Sequence, residues 1–274
     1  MTDRRFLRAT DRIAHDSLRG LVDGRDFTPG RAMRVAVALA DLCAAPDGPR
    51  DRQLPLGTAF TVIEERGTHA FGFDDRGYCG WLARGALGAD LAPTHWLAVP
   101  ASHLYPGPDL KLRETAALSM GARVAVEGEA VGFLRTADGW IWTRHLRPLG
   151  DWLADPVAVA RGFLGTPYLW GGNGHGGLDC SGLVQMARDA CGLACPPDSD
   201  LQRAMPGADV APGQERPGDL VFWKGHVAMV SAPGTILHAN AHHMAVVEEP
   251  LPPVIARIEA AGGGPVLRRL RPAG

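Results

Sequence analysis

Asp179-Cys-Ser-Gly-Leu-Val-Gln-Met-Ala-Arg-Asp-Ala-Cys-Gly192 reads as one amphipathic helix with both ends marked. Asp179 is an N-cap residue whose carboxylate can accept from the first free backbone N–H groups, and Gly192 supplies the stop. Leu183, Val184, Ala187, Ala190 and Cys191 fall on one stripe, the face such a helix turns to a core. Upstream lie a glycine-dense loop, Gly171-Gly-Asn-Gly-His-Gly-Gly177, and a shorter helical stretch, Asp155-Pro-Val-Ala-Val-Ala-Arg-Gly-Phe-Leu-Gly165. That stretch opens with Asp as cap and Pro at the first helical position. Downstream, Asp219-Leu-Val-Phe-Trp223, His226-Val-Ala-Met-Val230 and Ile236-Leu-His-Ala-Asn240 read as consecutive antiparallel strands. Helices followed by a meander of strands predict an α+β domain over residues 151–274.

The preceding chain has a different rhythm. From Arg31 onward, apolar segments of four to six residues recur at roughly ten-residue spacing between turns rich in Gly, Pro and Asp, the pattern of small β-barrels. The pattern runs twice, each time with an aspartate- and glycine-containing turn before an aromatic strand: Asp74-Asp-Arg-Gly-Tyr-Cys-Gly-Trp81 and Asp138-Gly-Trp-Ile-Trp142. Two barrels, at 31–90 and 91–150, are therefore expected. A single larger sandwich is the competing division. Residues 1–30 are polar, with Phe6, Leu7, Ile13, Leu18 and Leu21 loosely spaced, and fit a short helix and a linker.

Composition bounds the function. The 274 residues carry 28 Lys and Arg against 30 Asp and Glu, a formal net charge of −2. That balance argues against nucleic acid, whose phosphates call for a surplus of cations. The 46% hydrophobic content supports a buried core. The 35 glycines and 22 prolines follow no period, which excludes collagen and points to many turns. No run approaches 18 apolar residues, and the first residues lack the apolar centre of a secretory signal. A cytoplasmic protein that neither spans nor binds membrane is expected. Cys43, Cys79, Cys180, Cys191 and Cys195 are an odd set, so at least one thiol stays free.

Cys180 is the first candidate for chemistry. A thiol in the opening turn of a helix meets the positive end of the helix dipole and unsatisfied N–H groups, which favour thiolate and can hold an oxyanion. His226 opens the strand after the turn Lys224-Gly225, and His238 lies on the next strand. Both numbers are even, so an antiparallel register with an even sum puts both side chains on one face. Cys180, His226 and His238 are then nucleophile, base and orienter; Asn240 competes with His238 for the last role. Zinc is the rival use for His175, His226, His238, His242, His243, Cys191 and Cys195. The spacing of His238 and His242 needs a helix where the sequence reads strand and loop, so no metal and no cofactor is expected.

Thr166-Pro-Tyr-Leu-Trp-Gly-Gly172, Leu178-Asp-Cys-Ser-Gly-Leu-Val184, Arg216-Pro-Gly-Asp-Leu-Val-Phe-Trp223, Gly225-His-Val-Ala-Met-Val230 and Ile236-Leu-His-Ala239 together resemble the NlpC/P60 cysteine peptidases over about residues 151–250. The resemblance implies a papain-like α+β catalytic domain. The two barrels ahead of it resemble bacterial SH3 domains, and the whole order is similar to the γ-D-glutamyl-L-diamino acid endopeptidases of murein-peptide recycling. It implies hydrolysis of the γ-D-Glu–diamino acid bond in L-Ala-γ-D-Glu-diamino acid peptides with a free N-terminal L-Ala. By position, Cys180, His226 and His238 match the family's nucleophile, base and third polar residue. Tyr168 matches a tyrosine near the oxyanion. Trp170, Asp179, Ser181, Asp198 and Ser199 fall where the dipeptide is contacted, and Tyr78 matches a first-barrel tyrosine that reaches the cleft.

The sequence departs from some relatives near Thr58, where an acid helps hold the substrate amine. Gly57-Thr-Ala-Phe60 has none, which leaves amine recognition to Asp179, with Asp41, Asp47, Asp51 and Glu64 as loose candidates. The other readings are a non-catalytic binder of wall peptides and a Cys-His amidase or acyltransferase on another substrate.

Overall fold

The computed structural model describes residues 3–273. The chain divides into two compact units, one ending at Leu149 and the other starting at Gly150.

In the first unit, the short apolar segments pair into a seven-stranded antiparallel sheet. Its order is Arg50–Pro55, Leu39–Cys43, Cys79–Ala83, His69–Asp74, Ala59–Arg66, Arg31–Val35 and Leu87–Ala89. Alternation along these strands buries Val35, Leu42, Leu54, Phe60 and Leu82 in one apolar cluster. The turn before the Cys79 strand is built by its own sequence. Asp74 Oδ1 accepts from the backbone N–H groups of Arg76 and Tyr78 at 3.0 and 2.9 Å, and Gly77 takes the left-handed conformation at φ 81°.

Residues 95–148 form three small sheets around a second cluster that includes Leu97, Leu118, Val124, Ile141 and Leu146. Leu56 and Ala38, from the earlier strands, also pack into that cluster. The two halves of this unit therefore share apolar contacts across the division drawn near residue 90.

The helix expected before residue 30 is not formed. The chain instead makes 3-10 turns at Arg4–Phe6 and Asp16–Leu18 and a parallel pairing of Ile13–His15 with Asp26–Thr28. Gly20, Gly24 and Gly30 stand at φ 77°, 69° and 75°, which breaks any i to i−4 ladder through this stretch.

The second unit opens with the helix Pro156–Arg161, capped by Asp155 Oδ1 on the Val157 N–H at 2.8 Å. A two-residue hairpin, Asn173–Gly174 with Gly177–Leu178, leads into the helix Cys180–Asp189. Next come the short helix Ser199–Arg203 and a six-stranded antiparallel sheet. Its order is Gly207–Asp209, Arg268–Pro272, Leu220–Trp223, His226–Ala232, Thr235–Asn240 and Ala245–Pro250. The helix Leu251–Ala260 sends Leu251 and Val254 into the cluster on one sheet face, formed by Val221, Trp223, Ala228, Val230 and Ile236. The Cys180 helix packs against the His226 and Thr235 strands. None of the described helices is long and apolar enough to cross a membrane, and all five cysteines are free thiols.

Candidate active site

The site is built from a helix start and two adjacent strands. Asp179 caps the helix: its Oδ1 accepts from the Gly182 N–H at 2.6 Å and the Ser181 hydroxyl at 2.9 Å, and its Oδ2 accepts from the Gly171 N–H at 3.0 Å. These bonds tie the glycine loop to the first helical turn and fix Cys180 at its opening position. Gly182 is required there, because a Cβ would stand 2.5 Å from the Gly172 carbonyl oxygen. Cys180 is buried at 7% exposure. Its sulfur is placed against the backbone N–H groups of Val227, Ser181 and Cys180 itself. Val227 is the neighbour of His226, so strand and helix meet at the thiol.

Residues Met229 and Val230 pair with Leu237 and Ile236, an even register, with an irregularity before Ala232 and Thr235. His226 and His238 therefore share a face as diagonal neighbours, and His226 Nε2 lies 2.8 Å from His238 Nδ1. This engages Nε2 of His226 and leaves its Nδ1 as the ring nitrogen available to a thiol. Asn240, the competing orienter, stands instead behind His238, with its Nδ2 3.0 Å from His238 Nε2.

Two residues that the sequence did not single out complete this row. Glu249 Oε1 lies 2.8 Å from His238 Nε2, and Arg257 clamps the same carboxylate with bonds of 2.6 and 2.8 Å. Glu249 stands opposite Ile236 in the neighbouring strand, so it shares the face of His238, and Arg257 comes from the helix covering that face. The alternation in Ala245-Val-Val-Glu-Glu-Pro250 is the one sequence signal that points to Glu249.

Burial dominates the charge states. It pushes the Cys180 thiol up to about 12, with Asp179 adding to the rise and the three N–H groups opposing it. Loss of water thus outweighs the helix end, which acts on the thiol in the opposite direction. Burial likewise drives the His226 imidazole down to about 3; His238 and Arg257 act in the same direction and Glu249 opposes them. His238 is also lowered, again by burial first. Glu249 is held at about 2, chiefly by the Arg257 bonds. These shifts favour a protonated thiol and uncharged imidazoles at neutral pH, with the Glu249 carboxylate at the far end of the row.

Tyr168 is brought to the same place by the segment Thr166–Trp170, which runs beside Leu178: Leu178 N–H donates to the Pro167 carbonyl, and Leu169 N–H to the Leu178 carbonyl, both at 3.0 Å. Its half-buried phenol is raised to about 12 by burial, then by the nearby Cys180 and Asp179. Ser181 is buried, and its carbonyl accepts from Gln202 Nε2 at 2.9 Å. Gln202 also donates to the Pro196 carbonyl at 3.1 Å, which tethers the loop carrying Asp198 and Ser199 to the helix start. Asp198 holds a positive φ of 61°, uncommon for a residue with a side chain. Trp170 is 70% exposed.

The Tyr78 ring is packed in the apolar cluster of the first unit at 2% exposure, edge-on to Phe6 and under the Arg52 guanidinium. Asp179 has two donors on Oδ1 and one on Oδ2, which leaves it little capacity for a substrate amine. Thr58 is buried and bonds to the Pro55 carbonyl; Asp41, Asp51 and Glu64 are paired with Arg50, Arg4 and Arg66, and Asp47 lies by His69. His242 and His243 lie on the turn between strands, and His243 Nε2 reaches Glu249 Oε2 at 3.3 Å. Among the described residues, no three His, Cys, Asp or Glu side chains are grouped so as to hold a metal ion.

Residues 165–253 match the NlpC/P60 family, and residues 42–87 match the bacterial dipeptidyl-peptidase Sh3 domain. The chain is 30% identical over 190 residues to a γ-D-glutamyl-L-lysine dipeptidyl-peptidase of Bacillus subtilis, covering 61% of each chain. It is 26% identical over 238 residues to the protein of the same name from Bacillus cereus, covering 73% of this chain and 70% of that one. A probable endopeptidase of Corynebacterium glutamicum is 41% identical over 86 residues, 30% of this chain and 41% of its own. The chain spans between 31% and 61% of the length of the first four curated relatives it matches. Among solved structures, an NlpC/P60 family protein from Bacillus cereus superposes with a TM-score of 0.74 at 22% identity, over 88% of this chain and 99% of that one, and shares the fold. The Cys180 helix and the two histidine strands all lie within the first matched segment, and the chain carries an NlpC/P60 domain with a bacterial SH3 domain ahead of it.

Proposed function

We propose that this protein is a cysteine peptidase that hydrolyses the γ-D-Glu–diamino acid bond of short murein peptides such as L-Ala-γ-D-Glu-meso-diaminopimelate. The observation that carries the reading is a thiol at a helix start beside a strand whose histidine is oriented by a second histidine at 2.8 Å. The two Bacillus relatives, named for γ-D-glutamyl-L-lysine bonds, favour this bond over other amides.

In this mechanism His226 Nδ1 takes the Cys180 proton as sulfur attacks the γ-carbonyl carbon. The N–H of Cys180 and the Tyr168 hydroxyl steady the oxyanion. The imidazolium gives its proton to the leaving amine, and water, deprotonated in turn by His226, releases L-Ala-γ-D-Glu from the thioester. Ser181, Trp170, Asp198 and Ser199 are the nearby candidates for holding the dipeptide; Asp179 mainly holds the helix start. We place the reaction in cytoplasmic recycling, where the substrate is a small released fragment.

Incubation with L-Ala-γ-D-Glu-meso-diaminopimelate, followed by mass spectrometry, tests the reading. Release of L-Ala-γ-D-Glu by the wild type and not by Cys180→Ala is expected. Absence of that dipeptide, with another amide cleaved instead, would move the protein to the amidase class. Cleavage of intact sacculi in preference to the free tripeptide would overturn the recycling role.

A further inference from the structure

Glu249 and Arg257 lie beyond the three residues that the mechanism uses, yet their geometry decides where the protons of those residues sit. A carboxylate has no proton to give, so the 2.8 Å bond between Glu249 Oε1 and His238 Nε2 requires hydrogen on Nε2. A neutral His238 then has a bare Nδ1. The 2.8 Å bond to His226 Nε2 in turn requires hydrogen on that nitrogen, and Nδ1 of His226 is left bare, the form able to accept a thiol proton.

Asn240 asks for the opposite arrangement. Its Nδ2 donor stands 3.0 Å from the same His238 Nε2, and its Oδ1 already accepts the His243 N–H at 2.9 Å, which fixes the amide's orientation. If Asn240 prevailed, hydrogen would move to His238 Nδ1, then to His226 Nδ1, and the base would be lost. The acceptor that prevents this is held by Arg257 through both guanidinium nitrogens, at 2.6 and 2.8 Å.

We propose that Glu249, clamped by Arg257, is a positioning residue that sets the tautomer of both His238 and His226 and so keeps His226 Nδ1 unprotonated for Cys180. The proposal rests on the reading of Cys180 and His226 as nucleophile and base. The charged and titratable groups around His238 are His226, Glu249, Arg257 and His243. When His226 takes the thiol proton, its new positive charge faces the His238 lone pair, with the Glu249 carboxylate one ring further on. The proton returns to the leaving amine, so the row ends each half-reaction as it began.

Nitrogen-15 NMR of histidine-labelled full-length protein at neutral pH, without substrate, reads the tautomers directly. Nε2–H on both His226 and His238 is expected in the wild type. In Glu249→Gln, the His238 hydrogen should move to Nδ1 and kcat/KM should fall about 10- to 100-fold with KM nearly unchanged. Arg257→Lys, which keeps the charge beside Glu249, should retain the wild-type tautomers and stay within about threefold of wild-type activity. Nδ1–H on either ring of the wild type overturns the proposal, as does a Glu249→Gln enzyme within twofold of wild type while Cys180→Ala is dead. If Cys180→Ala cleaves as well as wild type, the nucleophile reading fails, and the NMR still decides the tautomer claim. If Glu249→Gln does not fold, the wild-type spectrum and Arg257→Lys decide it.

Discussion

His226 and His238 meet through ring nitrogens 2.8 Å apart although they are not opposite one another in the sheet. The register pairs Met229 with Leu237 and Val230 with Ile236, which puts the two rings on one face as diagonal neighbours. His238 thereby holds the His226 ring at Nε2, and in the proposed mechanism it acts on the base and not on the thiol. Its replacement should therefore act on kcat. His238→Ala is expected to lower kcat by about 10²- to 10⁴-fold with a small change in KM, and His238→Asn should recover part of the loss by offering an acceptor to His226 Nε2. Steady-state kinetics on the tripeptide checks both.

Tyr168 lies beside the thiol, and its phenol stays protonated to about 12. A neutral hydroxyl there is a donor to a developing oxyanion and does nothing for the ground-state thiol. Tyr168→Phe should reduce kcat by roughly 10²-fold, about 2.7 kcal/mol, and leave KM within a few-fold. A change confined to KM would assign the hydroxyl to ground-state binding instead.

The buried groups bracket the stable pH range of the second unit. His226 and His238 are lowered in the folded state, so below the unfolded value of 6.5 the unfolded chain binds protons that the folded one refuses, and stability falls. Cys180 is raised, so above 9 the unfolded chain loses a proton that the folded one retains, and stability falls again. Glu249 adds a further loss as pH drops from 4.5 towards about 2. Thermal unfolding should show a plateau between about pH 6.5 and 9, with slopes of up to about 1.4 kcal/mol per pH unit for each group outside it. Cys180→Ala should reduce the alkaline limb, to which Tyr168, raised from 10 to about 12, still contributes above pH 10, and leave the acid limb in place.

Gly182 allows the helix start to sit against the glycine loop, where an added Cβ would come within 2.5 Å of the Gly172 carbonyl oxygen. In an open helix, Gly→Ala would be stabilising by about 1 kcal/mol. Here Gly182→Ala should instead destabilise by about 1–3 kcal/mol and displace Cys180, measurable by denaturant unfolding together with loss of activity.

The parts of this site that were legible in the sequence are those set by local rules. The Cys180 helix carried its own cap and stop at Asp179 and Gly192, and the shared face of His226 and His238 was legible as the consequence of an even register, which the pairing of Met229 with Leu237 supplies. Glu249 was hidden because its place depends on the pairing of Ile236 with Glu249 across a turn, a register that sequence alone leaves open. Arg257 lies on the helix Leu251–Ala260, and only the turn from the Ala245–Pro250 strand into that helix brings it back onto Glu249. The raised thiol was hidden for a different reason: the helix end is visible in the sequence, but the burial that outweighs it comes from the packing of strands on that helix.

A thioester on Cys180 is the most direct consequence of the account. Protein mixed with L-Ala-γ-D-Glu-meso-diaminopimelate, quenched in acid during turnover and digested, should yield the Cys180 peptide carrying an L-Ala-γ-D-Glu acyl group, with the adduct absent from Cys180→Ala. Dipeptide release that never passes through an adduct on this peptide, or that continues undiminished in Cys180→Ala, would contradict it.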